Sequence, residues 1–271
     1  VQKFGTVENP EMQWQVLQPN EHGDWLNLRD DIFGSWITIE PEKKFDLKTK
    51  SFFVSQSLGT ATNRDSWVYN FSKRELQQNI SKTVGHYNGQ LDLKKSGKII
   101  EPNRESILGN WTRDWLNQFE KNKAMTIEQN EFRLAYYRPF VKTNTYFADD
   151  LNQERYQLPK LFPTITTENR VICVSGVGAS KDFSALITDC VPDLQLQFNG
   201  QCFPLYYYEE RAKASPSLFD AANENEHVRR DGVSDFILVQ ARSRYGERVT
   251  KEDIFYYVYG FLHSPDYRTR F

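Results

Sequence analysis

Charge of one sign, paired cysteines and long apolar runs are what this sequence has least of. Its 34 Lys and Arg against 36 Asp and Glu leave a formal net charge of −2 over 271 residues. Such a balance does not announce a nucleic-acid binder, nor does it exclude one, because phosphate is bound by a local patch and not by the sum. No run of about 18 apolar residues occurs, so no membrane-spanning helix is expected. The first fifteen residues, VQKFGTVENPEMQWQ, have neither a basic start nor an apolar stretch, which argues against a signal peptide; without an initiator Met the chain reads as cut from something longer or processed. The three cysteines, Cys173, Cys190 and Cys202, lack C-x-x-C spacing and read as small buried residues of a reduced, cytoplasmic protein.

The local signatures of the common enzyme classes are missing as well. Ser175-Gly176-Val177-Gly178 resembles the start of a dinucleotide loop, but residue 181 is Lys where the third Gly belongs, so a strand-exit turn is expected. A methyltransferase needs a Gly-rich cofactor loop and an Asn/Asp-Pro-Pro-aromatic loop. Asn9-Pro10 is followed by Glu, and Val191-Pro192-Asp193 has no aromatic partner. Asp31 with Glu42-Lys43-Lys44 is the nearest approach to a metal-nuclease set, and it reads as a solvated charged turn. There is no phosphate-binding Gly-Lys-Ser/Thr loop and no G-x-S-x-G elbow. His22, His86, His227 and His263 show no ligand spacing. The expectation is therefore a chain with no catalytic, cofactor-binding or metal site of its own.

What is present is aromatic: 19 Phe, 14 Tyr and 6 Trp suit many short packed strands. Strands are predicted at 36–39, 51–54, 66–71, 132–137, 143–147, 170–174 and 202–208. Ser72 and Glu75 form a capping-box pattern before a helix carrying Leu76, Ile80, Val84 and Tyr87, which Asn88-Gly89 should end. A second helix is expected over about 104–121, with Leu108, Trp111, Trp115 and Phe119 on one face, after a solvated basic loop with Lys94, Lys95 and Lys98. Residues 209–232 read as a polar loop. Two helices close the chain, one from Ser234 to Gly246 and one capped by Thr250 with Ile254, Phe255, Val258, Phe261 and Leu262 as its apolar face. The fold class is α+β, a mixed β-sheet with packed helices and a C-terminal helical segment.

Several segments in order carry a resemblance. They include Glu21-His22-Gly23-Asp24-Trp25, Thr62-Asn63-Arg64-Asp65-Ser66-Trp67-Val68-Tyr69-Asn70-Phe71-Ser72, Tyr137-Arg138-Pro139-Phe140 and Glu168-Asn169-Arg170-Val171-Ile172-Cys173. They continue through Asp189-Cys190-Val191-Pro192-Asp193-Leu194, Gly200-Gln201-Cys202-Phe203-Pro204-Leu205-Tyr206 and Tyr256-Tyr257-Val258-Tyr259-Gly260-Phe261-Leu262-His263-Ser264-Pro265. From about residue 20 to 271 this order resembles the C-terminal target-recognition region of type ISP restriction–modification enzymes. The resemblance implies that residues 1–35 lead in from a methyltransferase region and that 36–271 form the recognition region, with helices near 73–121 and 234–271. It implies double-stranded DNA as partner, with the methyltransferase and motor domains of the same polypeptide beside it. S-adenosylmethionine, ATP and Mg would serve those other domains, and this chain would hold no cofactor. The alternative is a bracing domain that reads no DNA.

DNA reading requires cations for phosphates and amides or guanidinia for base edges. The residues nominated for DNA contact are Asn63, Arg64, Arg138, Lys142 and Asn144. Asn63-Arg64-Asp65 precedes an aromatic strand expected to project it rigidly, and Arg64 is expected to meet phosphate. Because members of one family read different targets, shared motifs should serve scaffold or phosphate contacts. Base readers are expected in about 91–131, 141–160 and 208–233.

Overall fold

A computed structural model describes residues 17–19, 23, 25, 33–104, 111–138, 140–176, 178–211 and 227–269. The chain divides into compact units at 1–37 and 38–271. In the first, Phe33–Ser35 form a 3-10 turn, and the rings of Phe33 and Trp36 lie 5.6 Å apart. Asp31, nominated in the charged-turn reading, and Leu108, nominated for the second helix, lie outside the described residues.

In the second unit the elements follow as β1 (Ser57–Leu58), α1 (Asp65–Val68), β2 (Tyr69–Asn70), α2 (Lys73–Lys95), α3 (Arg113–Glu120), β3 (Phe132–Tyr137), β4 (Val141–Tyr146) and α4 (Leu158–Leu161). Then come β5 (Val171–Val174), β6 (Ala185–Thr188), β7 (Val191–Pro192), β8 (Gln201–Pro204), β9 (Tyr206–Glu210), β10 (His227–Asp231), α5 (Asp235–Tyr245), α6 (Lys251–Leu262) and α7 (Pro265–Arg268). One sheet has the order β1-β8-β5-β6 and a second β2-β4-β3-β7, while β9 and β10 form a hairpin. The second sheet is mixed, because β3 and β7 run parallel while its other pairs are antiparallel. The α+β expectation holds.

Two apolar clusters form the core. One packs α2 and α3 against β3 and β4 through Leu76, Ile80, Tyr87, Trp115, Phe119, Ala135 and Tyr146. The other packs α5 and α6 against β5 and β8 through Ile172, Phe203, Ile237, Phe255 and Val258. The helix caps behave as their chemistry dictates. Ser72 Oγ accepts from Glu75 N–H at 3.3 Å, Ser234 Oγ from Ile237 N–H at 3.2 Å, and Thr250 and Asp253 close a reciprocal capping box.

Tertiary contacts override several sequence-based assignments. Helix α2 runs past Asn88-Gly89 because the Asn88 amide donates to Met125 O at 2.9 Å and accepts from Met125 N–H at 3.0 Å, and Leu91 is buried one turn on. Lys94 is no solvated loop residue: its ammonium donates to Phe119 O at 2.7 Å and Glu120 O at 3.1 Å, holding the carbonyl end of α3. Residues 36–39 and 51–54 form no strands. They touch through two bonds, Phe52 N–H to Thr38 O at 2.9 Å and Phe53 N–H to Ile39 O at 3.1 Å. The expected strand at 66–71 is mostly the helical turn α1, with only Tyr69 and Asn70 pairing with β4. The polar stretch at 209–232 contains β10, in register with β9 from Tyr206↔Asp231 to Glu210↔His227.

Candidate nucleic-acid interface

The segment Gly59–Thr62 is stitched on two sides. Thr60 N–H donates to Pro192 O at 2.8 Å and Leu194 N–H to Thr60 O at 2.9 Å, while Ala61 and Glu154 exchange bonds of 2.9 Å each. The approach is close enough to require glycine at 59, where a Cβ would lie 2.5 Å from Asp193 O. Thr62 Oγ1 then accepts from Arg64 N–H at 3.0 Å and donates to the Asp65 carboxylate. Asn63 sits at φ +52°, and its exposed amide donates to Gln153.

This geometry sends Arg64 inward, contrary to the expectation that it projects to a phosphate. The side chain is wholly buried. Its Nη2 lies 2.9 Å from each Asp114 carboxylate oxygen, it also donates to Thr112 Oγ1, and the guanidinium lies 4.4 Å from the Trp115 ring centroid. Burial pushes the Asp114 carboxyl up, but hydrogen bonds from Arg64 and Thr112 outweigh it and hold the group below its ordinary value. A guanidinium with no surface has no edge to offer DNA, so Arg64 is a structural tie between the 62–65 loop and α3.

Arg138, just beyond β3, is placed differently. Its side chain is 40% exposed; Nη2 pairs with Asp65 and Nε lies 3.7 Å from Asp193 Oδ1. Nη1 makes no hydrogen bond to a described residue. Two tyrosines hold the carboxylates: Tyr137 OH donates to Asp65 at 2.8 Å and Tyr69 OH to Asp193 at 3.3 Å, with the two rings 4.4 Å apart. Asp193 is 4% exposed. Burial first, and then the Asp65 charge, push its carboxyl up to about 6, against the pull of Arg138, the Gln195 N–H and Tyr69. These groups border an open cleft of ≈ 370 Å³ lined by Thr60, Asn63, Arg138, Asp193 and Gln195 among others. The buried Thr60 hydroxyl makes no hydrogen bond to a described residue.

The family model of the type ISP C-terminal specificity domain matches residues 51–271. This chain belongs to that family. Among solved structures, the type ISP specificity domain described here is similar to the ATP-dependent type ISP restriction–modification enzyme LlaBIII bound to DNA, at 29% identity and a TM-score of 0.74, over 94% of this chain and 16% of that one. It is similar to DrdV in a DrdV–DNA complex, at 29% identity and 0.75, over 97% and 25%. A nuclease-deletion mutant of the type ISP enzyme LlaGI with a DNA substrate mimic matches at 26% and 0.70, over 96% and 18%. The chain thus spans a quarter or less of each of these polypeptides. No curated protein matches it.

Within the specificity domain the nominated residues fall into two groups. Asn63, Arg64 and Arg138 converge on the 59–65 loop. Lys142 and Asn144 lie on the outward face of β4, opposite Tyr136 and Leu134. Lys142 Nζ is 2.6 Å from Asp189. The Asn144 amide donates to Asn70 O at 3.2 Å and Phe71 O at 2.9 Å, fastening β4 to the start of α2. Asp193 is the residue that sequence reasoning missed. It enters there as part of a failed catalytic-loop match and of a segment that carries the resemblance, but nothing local marks an Asp after Val-Pro as the partner of an arginine 55 positions earlier.

Proposed function

We propose that this specificity domain reads double-stranded DNA for a longer restriction–modification polypeptide, and that Arg138 is one of its phosphate contacts. The observation that carries the second point is the guanidinium itself. Its Nη2 is held by the Asp65 carboxylate, its Nε lies 3.7 Å from Asp193, Tyr137 shares the site, and the side chain keeps 40% of its surface exposed beside a cleft. A pre-oriented guanidinium suits a phosphate better than a mobile lysine, since less freedom is lost on binding. The family match and the likeness to DNA-bound type ISP enzymes support the function as a whole. Adenine-N6 methyl transfer with S-adenosylmethionine, and ATP-driven motion and cleavage with Mg, belong on this reading to other parts of the polypeptide.

Arg138→Ala is expected to weaken binding to all duplexes alike and to lower the slope of log affinity against log salt by about one unit. Affinity measured across salt on matched and mismatched duplexes checks it. An unchanged slope removes Arg138 from the contact set, and a loss confined to one base pair makes it a base reader.

A bracing role is favoured by a separate observation. Helix α6 leaves Tyr257 and Phe261 exposed, and α5 leaves Val239 exposed. Apolar surface of this kind suits packing against another part of the polypeptide, and it is compatible with DNA reading elsewhere on the domain.

A further inference from the structure

Asp193 does more than a turn requires. Its Oδ1 accepts from Gln195 N–H at 2.9 Å and caps the short turn Leu194–Gln197, a task that a neutral Asn or Ser performs as well. Yet it is a nearly buried carboxylate, and burying a charge is costly unless it is compensated. The groups facing it are Arg138 beyond β3, Asp65 of α1 and Tyr69 of β2, with Tyr137 of β3 bonded to Asp65. One guanidinium therefore serves two carboxylates, and the cluster carries one excess negative charge when both are ionised.

We infer that Asp193 competes with DNA for Arg138, and that it takes up protons from solvent when Arg138 engages a DNA phosphate. The inference rests on the phosphate contact proposed for Arg138. Asp65 holds the Nη2 edge of the guanidinium, and ionised Asp193 lies 3.7 Å from Nε, within charge contact but beyond a hydrogen bond. An incoming phosphate competes for the same cation and brings its own negative charge near the carboxylate. Asp193 then keeps its burial and loses part of its compensation, which favours the neutral acid. The group already sits at about 6 in the free protein, so a modest further rise places its titration at neutral pH. Linkage is reciprocal: if DNA raises proton affinity at Asp193, protonation there raises affinity for DNA.

The test is binding of a labelled mixed-sequence duplex at fixed ionic strength from pH 5.5 to 8, for wild type, Asp193→Asn, Asp193→Ser and Arg138→Ala. Both neutral replacements retain a capping group, and circular dichroism with a thermal melt checks that they fold. For a one-unit rise in the complex, wild type should bind roughly fivefold tighter at pH 5.5 than at pH 7.5, after subtraction of the profile of Asp193→Asn. That variant should bind at pH 7.5 at least as tightly as wild type, and Asp193→Ser should share its flattened profile. The subtraction removes contributions that the two proteins share. Parallel profiles for wild type and both Asp193 variants would overturn the inference while leaving the phosphate contact intact, provided Arg138→Ala still weakens binding and lowers the salt slope. Unchanged affinity and salt slope in Arg138→Ala would overturn the contact itself. Wild type that binds no duplex at any pH overturns the function reading and the inference with it.

Discussion

Arg64 and Asp114 meet through one guanidinium nitrogen placed 2.9 Å from each carboxylate oxygen, beneath the ring of Trp115. The pair joins residues 50 positions apart and closes the 62–65 loop onto α3. Removing Arg64 strands the Asp114 charge, which keeps 23% of its side chain exposed, so the cost falls below the figure of about 3–5 kcal/mol for a fully buried pair. Arg64→Ala is therefore expected to lower folding stability by less than that figure and to leave the salt slope of DNA binding unchanged in the folded fraction. A denaturant melt beside a salt titration checks both. A stable Arg64→Ala protein with a reduced salt slope would return Arg64 to the DNA contacts.

Trp115 is the second half of the same tie. It is fully buried, its indole N–H donates to Asp150 O at 2.7 Å, and its ring meets Tyr87 edge-on at 5.6 Å. Trp115→Ala should cost about 3–5 kcal/mol by cavity formation. Because it touches Arg64, the double variant should lose less than the sum of the two single losses. Strict additivity in a double-mutant cycle of denaturation midpoints would show that the ring and the guanidinium do not support one another.

Asp193 makes stability depend on pH in the direction opposite to a salt-bridged acid. Its folded value, about 6, lies above the usual unfolded value of about 3.9, so ionisation opposes folding. Its favourable contribution is complete below the unfolded value and is lost as pH rises through about 6. Asp193→Asn should therefore melt at a higher temperature than wild type at pH 7.5, with the gain shrinking as pH falls to 5. A gain that grew on acidification would show that Asp193 is stabilised as the anion.

The elements legible in the sequence are those fixed by local chemistry. The caps at Ser72, Ser234 and Thr250 and the apolar stripes after them give α2, α5 and α6 near their observed starts. The α+β class and the burial of Trp115, Phe119, Ile254, Phe255 and Val258 were legible for the same reason, whereas Trp111 is buried from ahead of a helix that begins at Arg113 and not near 104. What stayed hidden was decided at long range. Asn63-Arg64-Asp65 has the composition of a solvated loop, and distant partners, Thr112, Asp114 and Trp115 among them, draw its arginine inside. Asn88-Gly89 has the composition of a helix stop, and only Met125 lets the helix continue. Arg138 was found as a candidate because Pro139 marks a strand exit, whereas Asp193, which faces it, lies in a segment that the resemblance marks but that no local chemistry pairs with Arg138.

Strands β9 and β10 face each other residue for residue, from Tyr206↔Asp231 to Glu210↔His227. The pairing of Glu210 with His227 sets the two ends of the intervening segment 211–226 side by side, as adjacent anchors. Closing a longer loop on fixed anchors costs little, about 0.6 kcal/mol for each doubling of its length. The far end of the hairpin is accordingly a place where the connecting segment can be lengthened at little entropic cost, while Tyr207 at its near end stays anchored in the core.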